Sequence, residues 1–194
     1  MPNEPVVLRA DDPRAAALQA DGWTVTARSW AAQLTGVTVV RDRLERLVDR
    51  VRDVGEVREV MDADLHAVLE LDAATLADYP GGVATRHEPL TPERARVSPE
   101  RRAFGLFDVD GRALGVTYVD IDGRRAETDF TVVARDHRGL GVGAAVKAAP
   151  VLALADSGIG VFRTGGSADN PASLAANRSV GYVVDEQWVT LARL

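Results

Sequence analysis

The stretch Arg138-Gly139-Leu140-Gly141-Val142-Gly143 decides how this sequence is read. It follows an alternating strand pattern, Glu127 to Ala134, and leads into an apolar helical run from about Leu140 to Asp156. Glycines at such a junction let the backbone turn tightly and aim N–H groups outward, and the helix dipole adds partial positive charge. That combination suits a phosphate or a pyrophosphate. A plain strand-to-helix turn is the competing reading, though it rarely needs three glycines in five residues. Two nucleotide motifs fail here. A dinucleotide fingerprint requires G-x-G-x-x-G inside a parallel βαβ unit and an acidic residue ending the next strand. The spacing here is G-x-G-x-G, antiparallel hairpins precede it, and the next strand candidate ends in Thr164. A phosphate loop of the Walker type would need Gly-Lys-Ser/Thr, which is absent.

Upstream of the turn, Arg102 to Val109, the pair Asp110-Gly111 and Ala113 to Ile121 give a hairpin signal, and Asp122-Gly123 turns the chain into a third strand. Before these come a strand at Glu56–Val60 and a helix bearing Leu65, Val68, Leu69 and Leu71, which runs toward Tyr79-Pro80-Gly81-Gly82. A short helix starts at Thr91-Pro92-Glu93, with Thr91 as cap. Downstream, Gly160 to Thr164 reads as a strand, Asn170 to Val180 as a helix, and Tyr182 to Leu194 as a final pair of strands. Pro150 falls inside the long helix and predicts a kink. The fold class is α/β (α+β): a mixed, mostly antiparallel central sheet flanked by helices on both faces.

The chain has 194 residues, 46% of them hydrophobic and 27% charged, which is the composition of a soluble globular protein. Zero Cys excludes a disulfide framework, a thiolate metal site and a cysteine acyl-enzyme. Three scattered histidines argue against a metal cluster, so no metal is expected. Lys+Arg 23 against Asp+Glu 29 gives a net charge of −6, which argues against a nucleic-acid partner. No window approaches a membrane span, and MPNEPVV lacks the regions of a signal peptide, so a cytoplasmic location is expected.

Arg138-x-x-Gly141-x-Gly143 resembles the Q/R-x-x-G-x-G/A motif of the Gcn5-related N-acetyltransferases (GNAT), and the likeness runs in the family's order from Gly55 to Leu194. It takes in the hairpin, the helix after the motif, the strand to Thr164, Asn170, and Gly181-Tyr182 where the family has Gly-Phe. A more detailed likeness is to actinobacterial members reading T-x-V…H-R-G-x-G…K, then T-G-G…N-x-x-S-L-x-x-N…G-Y; Thr131, Val133, His137, Lys147, Thr164, Ser173, Leu174 and Asn177 fit that form.

This resemblance implies the GNAT fold and transfer of an acetyl group from acetyl-CoA to a primary amine by direct attack in a ternary complex. The acceptor it implies is a small-molecule amine; a homodimer stays open. Cofactor contacts implied are backbone groups of Val132 and Val133 for the pantetheine, Arg138, Gly139, Leu140, Gly141, Val142 and Gly143 for the pyrophosphate, and Asn170 beside the pantetheine. The attacking amine must be neutral, so a carboxylate should take its proton. Period two puts Glu127, Asp129, Thr131 and Val133 on one strand face. Glu127 lies eleven residues before Arg138, the interval of the catalytic glutamate in the histone-acetylating branch; Asp129 is its rival. Where many members carry a tyrosine acid, four residues before Gly-Phe, this chain has Asn177, an amide that donates a hydrogen bond but no proton. That departure supports the alternative of a degenerate module that binds acyl-CoA or a partner protein without turnover.

Two units are expected: an N-terminal extension, 1–54, and an acetyltransferase domain, 55–194. Within the extension, Val39 to Val54 reads as an amphipathic helix ended by Gly55. Gly22-Trp23-x-Val25 with Trp30 echoes Gly181-Tyr182-x-Val184 with Trp188, as the tail of a degenerate first repeat would; chance similarity is the other reading.

Overall fold

A computed structural model describes residues 4–78 and 82–193. Eight strands form one sheet: β1 (Val6–Arg9), β2 (Thr24–Thr35), β3 (Glu56–Glu59), β4 (Arg101–Phe107), β5 (Ala113–Asp122), β6 (Arg125–Val133), β7 (Val161–Ser167) and β8 (Val183–Ala192), in the order β1-β8-β2-β7-β6-β5-β4-β3. Every pairing is antiparallel except β6 with β7. Tyr182 to Leu194 holds one strand, β8, and not two: β8 finds its antiparallel partners in β1 and β2, on either side.

Six helices accompany the sheet: α1 (Pro13–Ala20), α2 (Arg41–Asp49), α3 (Leu65–Thr75), α4 (Pro92–Ala95), α5 (Val142–Asp156) and α6 (Pro171–Val180). Their ends follow from local chemistry. Asp12 accepts from the Arg14 N–H at the head of α1, Thr91 from the Arg94 N–H at α4, and Asn170 from the Ser173 N–H at α6, each with proline in the first turn. Gly181, at φ +121°, ends α6 in a backbone conformation that a side chain would strain. α5 runs on through Pro150.

Alternation on β4 shows how the layers form. Leu106 points to a core with Val51, Leu114, Val142 and Val146 under α5, while Ala103 and Phe107 point to a second core with Val68 and Leu71 of α3 and Ala95 of α4. Leu44 and Leu47 of α2 and Val180 of α6 join the α5 side, together with Trp30 and Leu34 of β2. Residues 6–35 are therefore part of the same sheet, with β2 lying between β7 and β8. Among the described residues no helix is long and apolar enough to cross a membrane.

Two irregularities shape the middle of the sheet. The β5–β6 register shifts between Tyr118↔Phe130 and Val119↔Thr128, which leaves Asp129 as an extra, bulged residue. Period two consequently breaks in β6. Ala126 packs in the α5-side core, whereas Phe130 and Val132 pack in the α3-side core. The expected common face of Glu127, Asp129, Thr131 and Val133 does not exist: Glu127 lies opposite to Ala126 and so on the side away from Thr131 and Val133. The second irregularity is a splay. β6 pairs with β7 only at Arg125↔Val161, Ala126↔Phe162 and Glu127↔Arg163, after which the two strands part.

Candidate active site

The splay leaves the β6 edge from Thr128 to Val133 open toward α6. A cavity of about 570 Å³ fills it, walled by this edge, by Gly143, Ala144 and Lys147 of α5, and by Ala172, Ser173 and Ala176 of α6. One hydrogen bond fixes the phase of the edge. Ala134 N–H donates to Leu114 O, so the polar backbone groups of even-numbered residues turn to β5 and those of Thr131 and Val133 turn to the gap. Val132, expected to offer backbone groups there, spends them on β5 and contributes only wall; Thr131 takes that place. Thr131 and the Val133 N–H thus present an edge that an extended, amide-containing ligand would extend as a further strand, while Val133 O already accepts from Arg138.

At its outer end the cavity reaches the glycine turn. Gly139 and Gly141 both have positive φ, +77° and +93°, so the conformation there is one that glycine adopts without strain. Gly139, Gly141, Gly143 and Arg138 line the cavity. Leu140 is exposed and Val142 is buried in the core; neither side chain lines it, and any part they play is through the backbone. The Arg138 guanidinium donates to Val133 O at 3.1 Å and to Asp78 at 3.0 Å. Arg135, with Arg138, holds the Asp78 carboxyl below the usual carboxylate range.

A second cavity, of about 750 Å³, adjoins the first, and the two share Thr128, Asp129, Gly165, Asn170 and Ser173 in their walls. Its walls come from distant parts of the chain: Ser29, Trp30 and Gln33 of β2, the loop 84–88, Arg163 of β7, and Asp185, Glu186 and Trp188 of β8. Most charges in it are already paired. Arg163 bonds Asp185 and lies 3.3 Å from Glu186, and Glu186 in turn accepts from Trp188 Nε1 at 3.0 Å. On the same wall, His87 Nε2 lies 2.5 Å from Asp72 Oδ1, with both side chains buried.

The two carboxylate candidates are placed differently. Glu127 lines only the second cavity; it is 56% exposed and accepts from Arg125 at Oε2, 2.7 Å. Asp129 stands on the bulge where the cavities meet, and its Oδ2 accepts from Arg101 at 2.7 Å and Arg94 at 3.3 Å. Asn170 lines both cavities while its Oδ1 caps α6, so the two roles expected of it coexist. Asn177 lies elsewhere: it is buried and lines neither cavity, and its Nδ2 donates to Ser173 O at 2.9 Å. Two hydroxyl residues line both cavities at the junction, Thr128 and Ser173, the latter one helical turn before Asn177. Tyr79-Pro80-Gly81, toward which α3 runs, lies outside the described residues.

Scans of the sequence against protein-family profiles and against curated proteins find no match. Solved structures do match in shape. A Gcn5-related N-acetyltransferase from Sphaerobacter thermophilus superposes with a TM-score of 0.68 at 16% identity over 98% of this chain and 59% of its own. A Gcn5-related N-acetyltransferase-like protein from Streptococcus suis gives 0.66 at 16% identity over 96% of this chain and 70% of its own. A tandem GNAT protein of the clavulanic acid biosynthesis pathway gives 0.60 at 21% identity over 96% of this chain and 62% of its own. At these identities the likeness is one of fold: the chain has the GNAT fold, and it spans about three fifths of the length of the first and third of these proteins.

Proposed function

We propose that this chain is an N-acetyltransferase that moves the acetyl group of acetyl-CoA to a primary amine. The observation that carries the reading is the splayed β6–β7 seam, whose unpaired backbone leads from the glycine turn to a junction with a second, separately built cavity. The residues fit the cosubstrate. Thr131 and Val133 offer the edge for pantetheine amides; the turn 139–143 and the head of α5 offer N–H groups and dipole for a pyrophosphate. Acetyl-CoA supplies the activated acyl group, and the absence of Cys agrees with direct attack by the amine.

Glu127 is the base in this reading. Among the described residues its Oε1 carries no hydrogen bond, so it is free to take the amine proton through a water in the second cavity. Asp129 is the less apt base because two guanidinium groups already use one of its oxygens. Ser173 takes over the donor role that the family resemblance gave to Asn177: it lines both cavities, and its hydroxyl has a proton to donate toward the departing sulfur. The acceptor is a small molecule bound against β2, β7 and β8. Residues 1–54 read as the tail of a first, degenerate repeat, a reading supported by the place of β2 beside β8 and by the likeness to a tandem protein.

A screen of primary amines with acetyl-CoA, reading free thiol, tests this. Acceptor-dependent thiol release is the expected result. Binding-only behaviour is favoured by the missing tyrosine, and it is the conclusion if CoA binds but no amine accelerates release. No CoA binding at all would refute the transferase and the acyl-CoA-binding module alike, and leave the protein-interaction module.

A further inference from the structure

Lys147 is the only lysine in the chain, and it is 6% exposed in the wall of the 570 Å³ cavity. Among the described residues it has no ion pair and no hydrogen bond. The carboxylates of that wall are matched: Asp78 by Arg135 and Arg138, and Asp129 by Arg94 and Arg101. An ammonium buried without a counter-charge is expensive, and an apolar side chain of similar length would fold better there. Burial also pushes its pKa down from 10.5 to about 8.

Its position says what it faces. Helical side chains lie back over the turn that precedes them. Gly143 and Ala144, the small residues one turn before Lys147, share the cavity wall with it and with Gly139 and Gly141 of the glycine turn, so a lysine side chain lying back in this way has room to reach that turn. Arg138 is the other cation of that wall, and its charge is shared with Asp78 and Val133 O.

We infer that Lys147 is a second charged contact for the pyrophosphate of the bound cosubstrate, reaching it from inside the cavity. This rests on the acetyl-CoA reading above and adds a residue to it. The cation is left uncompensated in the fold because its counter-charge arrives with the ligand.

The test compares CoA with pantetheine, which keeps the amides and loses the pyrophosphate, by calorimetry on the wild-type protein, Lys147→Met and Lys147→Gln. Both variants should lose CoA affinity by tenfold or more, while pantetheine affinity stays unchanged. Lys147→Met should also melt higher than the wild type without ligand, since a buried unpaired charge is gone; weaker binding then cannot stem from poorer folding. Undiminished CoA binding in both variants would overturn the assignment, as would an equal loss for CoA and pantetheine, which would make the side chain a wall of the pantetheine slot. A wild-type protein that fails to bind CoA would overturn the acetyltransferase reading first, and this inference with it.

Discussion

The two cavities meet at Asp129 and Ser173 but are built in opposite ways. The inner one is made mainly from one run of the chain, residues 128–179, with the end of β6, the glycine turn, the head of α5 and α6, and takes only Thr75 and Asp78 from farther away. The outer one joins β2, the loop 84–88, β7 and β8, segments up to about 160 residues apart. The difference lies in what each wall is made of. Backbone does most of the work in the first, through an open strand edge, positive-φ glycines and a helix head; side chains make the second. A site made of backbone constrains few residue types, whereas a site made of side chains changes with each substitution in its walls.

The comparison breaks most visibly at the base. Glu127→Gln should lower kcat by about 10²- to 10⁴-fold with CoA affinity unchanged, because Glu127 lines only the outer cavity. The loss should shrink as pH rises, since more of the acceptor amine is already neutral and needs no base. Asp129→Asn is the companion measurement. Equal, small and pH-independent losses in kcat/KM would leave neither carboxylate as the base, and a loss of CoA affinity in Glu127→Gln would deny that the two cavities act separately.

Next in size is the contribution of the N-terminal strands. Trp30 is buried, donates from Nε1 to Ser167 O, and packs so tightly on β7 that a Cβ at Gly166 would stand 2.7 Å from its ring. Trp30→Ala should cost about 3–5 kcal/mol in denaturant unfolding, the range for a large core aromatic. A cost under about 1 kcal/mol would mean that residues 6–35 are an ornament on the sheet and not a structural part of it.

The smallest effect concerns the inner cavity alone. Gly143 is helical, and a Cβ there would make only ordinary contact, 3.7 Å, with Val133. Gly143→Val should therefore fold, yet fill the space beside the turn and weaken CoA binding about tenfold, or 1.4 kcal/mol. Gly141 is the poorer probe: its φ of +93° and a Cβ contact of 3.0 Å to Arg50 would strain the fold as well. Unaltered CoA affinity in folded Gly143→Val would place the ligand elsewhere.

Local signals carried the sequence reading a long way. Strand period, the Asp110-Gly111 and Asp122-Gly123 turns, proline-led helix starts and the glycine turn located β4, β5, β6, α5 and α6, because each depends on neighbours within a few residues. The bulge at Asp129 escaped because nothing within β6 marks it; it exists only as a mismatch of register against β5, and it moved Glu127 to the opposite face. Ser173 and Asn177, one turn apart, share a face of α6. Only the packing of that helix decides how far along this face the cavity reaches, so Ser173 lines it and Asn177 is buried beyond it.

Sequence by itself determined the fold class, the glycine turn at the head of α5 and the absence of a cysteine nucleophile. Those are properties of composition and of short-range backbone geometry. Tertiary structure alone decided that β2 inserts between β7 and β8, that β6 and β7 part after Glu127, and that the sole lysine is shut inside the resulting gap. Each of these depends on which distant strands compete for the same hydrogen-bonding edge, and that competition is settled by burying side chains from both ends of the chain in one core.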